Sequence, residues 1–196
     1  MNSACRSFSL LELLLVMVLM AVLAALALAG YSATVQANAV TAGADMLSDM
    51  LTEGRSDAVA QNTTVEVRIY DLPPQPGAAP VYDAFQLHWL KADGTTPPAA
   101  SPVLLPAWVV IDATTAHSPL IASNTQTATP DASDARLNSR TRAFHFLPDG
   151  STDLNPATNW FMTVRAATQS DPAHFPSDWA CVSVDAATGR PQIYRP

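Results

Sequence analysis

A single carboxylate at the head of a long apolar run limits what this chain can fold into. Phe8–Tyr31 reads FSLLELLLVMVLMAVLAALALAGY, and Leu13 to Ala29 contains no polar residue. That run of 17 residues is about the minimum for a membrane span. Glu12 stands just before it, where an ionised group is costly. A lone acid in a membrane segment marks a functional site whose partner must be found. A secretory signal is the rival reading, with a basic region ending at Arg6 and Ala27-Leu28-Ala29 as its cleavage site. Against it, the run exceeds the usual apolar core of a signal, and Glu12 has no role in a disposable one. If the segment is an anchor, the basic end stays cytoplasmic. Either way, the remaining chain is expected outside the cytoplasm.

The full chain has 196 residues, enough for the anchor and one further domain of ordinary size. It carries 10 Lys and Arg against 17 Asp and Glu. Lys91 is its only lysine. An acidic domain of this kind disfavours general attraction to nucleic acid or anionic lipid. Of the two cysteines, Cys5 precedes the apolar run and Cys181 lies far from it. A small buried thiol is expected at Cys181.

Past Gly30, small or apolar residues recur at Val40, Ala44, Leu47, Leu51, Gly54 and Ala58. Steps of four and three mark one helix face. Asp45, Asp49, Glu53 and Asp57 form an acidic stripe on another face, read as solvated surface. One helix is therefore expected from about Ser9 to Gln61. Residues 8–31 would be its membrane part and residues 32–62 its amphipathic continuation, covering a sheet. Gly30 and Gly43 are points of low helix propensity that would allow bending, and Asn62-Thr63 closes the helix.

Strand signals follow. Thr64–Tyr70 and Ala84–Leu90 alternate apolar and polar residues. Val103–Ile111 is apolar but broken by Pro106, which suits an edge or bulge. Ala143–Leu147, Trp160–Arg165, Trp179–Val184 and Gln192–Tyr194 complete the set. Pro148-Asp149-Gly150 reads as a turn. Asp71–Pro80 and Lys91–Pro102 read as Pro-rich loops. Residues 112–140 are expected as a long variable loop facing partners. The fold class is α+β: a long N-terminal helix on an antiparallel β domain spanning residues 63–196.

Little in the chain points to catalysis. His88, His117, His145 and His174 show no metal-ligand spacing, and each reads as a surface or internally satisfied histidine. No nucleophile elbow, phosphate loop or zinc pattern occurs. Asp149, Ser151, Asp153 and Asn155 place oxygens at alternate positions as a calcium loop would. However, Gly150 is misplaced for that loop, and Trp160 stands where a closing glutamate belongs. No metal or cofactor is expected; Asp149 and Asp153 are the candidates if there is one. Arg136, Arg140 and Arg142 form the one basic cluster and the candidate nucleic-acid contact, although none is expected.

Ser7-Phe8-Ser9-Leu10-Leu11-Glu12 resembles the cleavage site of type IV prepilins and type II secretion pseudopilins. Farther on, Leu47–Leu51, Gly54–Val59, Asn62 and Val65 are similar to the minor pseudopilins of the GspH and FimT type. So are Phe144–Gly150 and Val182–Arg190. Leu72–Arg140 shows no such likeness. The resemblance implies a leader of residues 1–7, cut between Ser7 and Phe8 by a prepilin peptidase that also methylates the new amine. Most of the family has glycine before the cut; Ser7 is the departure here, though it too is small. Glu12 matches the family's assembly glutamate, and its implied partner is the Phe8 amine of a neighbouring copy.

The implied protein is a non-enzymatic filament subunit of a type II secretion or type IV pilus-like system. It would be anchored once in the inner membrane with its C-terminal domain in the periplasm or on a filament. Prepilin peptidase and other pilin subunits would be its partners, with no small-molecule substrate. The alternative is a tethered or secreted periplasmic binding module, such as FimT-like DNA capture.

Overall fold

The computed structural model describes residues 10–72, 81–122, 141–168 and 178–195, with residues 27–33, 72 and 81 as backbone alone. Ser7, Phe8, His174, Arg136 and Arg140 lie outside the described residues. By contact density the chain divides into two units, residues 1–36 and 37–196.

Helix α1 spans Leu10–Gln61. Within the first unit, the side chains described from Leu10 to Leu26 are all exposed. Among the described residues no helix is long and apolar enough to cross a membrane. The apolar run read from the sequence continues to Ala29, and residues 27–29 are described only as helical backbone.

In the second unit, all six positions of the small and apolar face are buried: Val40, Ala44, Leu47, Leu51, Gly54 and Ala58. Burying a leucine such as Leu47 or Leu51 contributes about 1.5–3 kcal/mol. Asp45, Asp49 and Glu53 are exposed on the other face, and Asp57 is half-buried. The helix ends where Asn62 turns to φ +50° and the Thr63 N–H donates to Ala58 O. Asparagine tolerates that left-handed conformation better than most residues. Gly43, expected as a bending point, instead allows a close approach. A side-chain carbon there would stand 3.0 Å from Val109 Cγ1 and 3.3 Å from Val164 Cγ1.

Among the described residues eight strands form one antiparallel sheet: β1 (Thr64–Leu72), β2 (Val81–Leu90), β3 (Val103–Leu104), β4 (Val109–Ile111), β5 (Thr141–Phe146), β6 (Trp160–Ala166), β7 (Trp179–Val184) and β8 (Pro191–Tyr194). Their order is β5-β1-β2-β4-β6-β7-β8, with β3 also pairing β2. Val65, Val67 and Ile69 alternate onto the helix-facing side and are fully buried, as are Phe144 and Phe146 opposite them. The two phenylalanine rings meet edge to face at 5.4 Å.

The structure corrects two sequence expectations. Val103–Ile111 is two strands rather than one. Trp108, with φ +72°, sits in the turn between them, and only β3 lies off the main strand path. Central β4 continues the sheet between β2 and β6. The front of the expected 112–140 loop is also not a free surface. Asp112, His117 and Ser118 are buried, and α2 (Pro119–Ala122) places Leu120 and Ile121 in the main core. The rest of that stretch, residues 123–140, lies outside the described residues.

Candidate functional site

Glu12 is the third residue of α1, in the first turn. Its neighbours Leu11, Leu13, Leu14 and Leu15 expose more than half of their surface. Among the described residues no basic group pairs with Glu12. Glu12 thus stands among exposed leucines on the first turns of α1.

Asp149 and Asp153 are each engaged by neighbouring donors. Asp149 Oδ1 accepts hydrogen bonds from Ser151 N–H and Oγ, closing the turn. Asp153 accepts from His145 N–H at 2.8 Å and pairs with its Nδ1 at 2.7 Å. The Asn155 side chain accepts from Ala157 N–H. Among the described residues no group of three or more metal-ligating side chains gathers. In the basic cluster, Arg142 lies in β5 opposite Ile69, half-buried with its Nε shielded from solvent.

Each described histidine has a hydrogen-bond partner within the fold. His88 is fully buried, with Nε2 3.1 Å from the Tyr70 hydroxyl and Nδ1 2.9 Å from Thr96 O. Tyr70 donates to Gln86 Oε1, and Gln86 Nε2 donates to Ala100 O. Beside them Arg68 forms a two-pronged pair with Glu66 and also donates to Thr96 Oγ1. The face of β1 and β2 away from the helix is therefore a buried polar layer, closed by residues 96–100. Nothing in the alternating pattern distinguished it from a wetted face. The one local sign was its content, since a tyrosine, a histidine and an arginine–glutamate pair can satisfy one another.

A second polar cluster joins Asp112 to Arg165 Nε at 2.8 Å and to His117 Nδ1 at 3.3 Å. Burial pushes the Asp112 carboxyl up, but donors from Thr114, Arg165 and His117 outweigh it and hold the group below its usual range. The Ser118 hydroxyl accepts from Thr163 N–H, and the Thr163 hydroxyl donates to His117 O. These bonds fix α2 beside β6; they do not form a nucleophile–base pair. Burial raises the Cys181 thiol to about 11, so it is a poor nucleophile at neutral pH.

Residues 2–28 match the family profile described as the prokaryotic N-terminal methylation motif. No curated protein sequence matches the chain. Among solved structures, one is the minor pseudopilin EpsH from the type 2 secretion system of Vibrio cholerae. It is 12% identical with a TM-score of 0.48, covering 80% of this chain and 97% of that one. The type IV minor pilin FimU of Pseudomonas aeruginosa is 14% identical with a TM-score of 0.48, covering 80% and 89%. A second EpsH structure gives 12% and 0.47, covering 81% and 95%. At these identities no residue role carries over from them.

Proposed function

We propose that this chain is a structural subunit of a type II secretion or type IV pilus-like filament. It is a single-pass inner-membrane protein, with its C-terminal domain in the periplasm or on the filament. The supporting observation is the methylation motif over residues 2–28, which brackets Ser7, Phe8 and Glu12 and leads into α1. A prepilin peptidase removes residues 1–7, and the amine of Phe8 keeps its charge when methylated. In the membrane that amine attracts the Glu12 carboxylate of the next subunit. Attraction at low dielectric is large, while either charge alone is penalised, so the pair sets the axial register of packed helices. The work is positional, and no residue is assigned a catalytic step.

Mass spectrometry of the mature N-terminus tests the processing step. A chain beginning at methylated Phe8 supports the proposal, whereas a chain beginning at Gly30 returns the secretory-signal reading. Glu12→Gln tests assembly. The variant inserts normally but enters filaments at least about tenfold less, since it leaves a buried amine without its counter-charge. Normal incorporation overturns the mechanism.

A further inference from the structure

The far end of the sheet carries a second feature. Strand β8 pairs with β7 on one side only, and among the described residues no strand covers its outer edge. The pairing continues into the turn, where Asp185 N–H donates to Arg190 O. Alternation along an antiparallel ladder then points Gln192 and Tyr194 toward β7, and Pro191 and Ile193 outward. Proline at an outward position costs no ladder bond. The edge still presents Pro191 C=O together with the N–H and C=O of Ile193.

An open cleft of about 430 Å³ lies across the sheet face of β6, β7 and β8 and reaches Gln192 and Tyr194 on the edge strand. Phe161, Ser183, Gln192 and Tyr194 line it from β6, β7 and β8, with Asn159 and Trp160 at one end. The Trp160 indole is held by its Nε1–H donating to Asn155 O at 2.8 Å. Tyr194 is 53% exposed. The volume suits one large side chain, and its place beside Gln192 and Tyr194 is where a strand added to β8 would project alternate residues.

Charge selects the occupant. Arg190 and Arg195 bracket β8, both exposed and both outside every ion pair among the described residues. Asp185, whose carboxylate is taken up by Thr188, also lines the cleft, so two cations meet one anion at this edge of a chain of formal net charge −7. We propose that β8 is a docking edge for an extended acidic peptide segment of a partner protein. The segment would add as a further strand, place one apolar or aromatic side chain in the cleft, and set its carboxylates against Arg190 and Arg195. Backbone pairing would supply affinity and the cleft specificity. A nucleic acid could meet the arginines but lacks the regular alternation of N–H and C=O that pairs along a strand edge.

The test uses the purified full-length chain in detergent and fluorescence anisotropy, with no requirement for filament assembly. The probe is a labelled hexapeptide, Asp-Val-Asp-Phe-Asp-Val. Controls are the same peptide with alternate amide nitrogens methylated, a lysine-for-aspartate counterpart, and an oligothymidylate. The acidic peptide is expected to bind, with affinity falling as salt rises. Methylation of the peptide, and separately Ile193→Pro, should weaken binding about tenfold by deleting backbone bonds. Ser183→Trp, which fills the cleft, should weaken it similarly. Arg190→Ala with Arg195→Ala should flatten the salt dependence. The proposal is overturned if the acidic peptide does not bind, if the methylated peptide binds as well as its parent, or if the lysine peptide or the oligothymidylate binds more tightly. The methylated-peptide comparison needs no variant, so it decides the matter even if Ile193→Pro fails to fold.

Discussion

Gly189 packs its α-carbon against the carbonyl oxygen of Gly150. A side-chain carbon at Gly189 would overlap that oxygen and stand 3.1 Å from Phe146 Cε1. Both glycines have positive φ, +65° and +83°. The turn before β8 is therefore seated on the turn after β5. Gly189→Ala is expected to destabilise residues 37–196 by about 2–4 kcal/mol, combining backbone strain with overlap. Gly94→Ala is the control. Gly94 also has positive φ (+80°) but nothing within 4 Å, so only the strain of about 1–2 kcal/mol applies. Urea unfolding of the two variants separates the terms.

Arg68 and Glu66 form an ion pair whose side chains are 3% and 6% exposed. Arg68→Met leaves Glu66 buried without its counter-charge and should cost about 3–5 kcal/mol. Adding Glu66→Gln should recover part of that loss, because the orphaned charge is gone. A double-mutant cycle by chemical unfolding measures the coupling. Additive losses would show that the pair is wetter than its burial implies.

Asp83 lies at the irregularity between β1 and β2. Burial raises its carboxyl from 3.8 to about 6, and the charge of Asp71 adds to the rise. Its folded value is above its unfolded one, so the native state holds the proton longer and stability falls as pH rises from about 4 to 6. Asp83→Asn should stabilise the domain at pH 7.5 by about 1–2 kcal/mol, after discounting for its half-exposed position. It should do little at pH 4. Thermal unfolding at the two pH values reads the difference, and an equal gain at both would exclude the titration as its source.

His145 and Asp153 each favour the charged form of the other. The Asp153 hydrogen bond raises the imidazole above its ordinary 6.5 despite burial. Burial pushes Asp153 up, but the bonds from His145 outweigh it and hold the carboxyl below 3.8. The histidine's contribution is complete below about 6.5 and is lost as pH climbs through its folded value. The aspartate's is complete above about 3.8 and is lost as pH drops through its folded value. The pair is therefore most stabilising between those limits. Asp153→Asn should cost about 0.5–1 kcal/mol at pH 5.5 and less at pH 8.5. Unfolding midpoints across that range check it.

Much of the chain was legible because the signals are local. The four-and-three spacing from Val40 to Ala58 gave the buried helix face, and Asn62-Thr63 gave its end. Alternation located β1 and β2, and short runs of strand character located β5 to β8, to within a few residues. Pro106 announced a break, but not that Trp108 would turn through positive φ or that β4 would lie inside the sheet. Strand order depends on pairings between segments distant in sequence, such as β1 with β5 and β4 with β6, which no window of residues encodes. The 112–122 stretch was misread for a related reason. Its Thr, Ser and Ala content looks like loop, yet Asp112, His117 and Ser118 find partners on β6.

By itself, the sequence determined the apolar helix with Glu12 at its head and the alternating strands, because hydrophobic period and turn chemistry act between near neighbours. It also carried the methylation motif. Tertiary structure alone decided which polar residues leave water. Glu66, Arg68, Tyr70, Gln86 and His88 occupy the positions of a solvated strand face and become a sealed network only because residues 96–100 fold across them. A polar side chain is stable on either side of that boundary provided its hydrogen bonds are met, so its own chemistry does not specify whether it is buried.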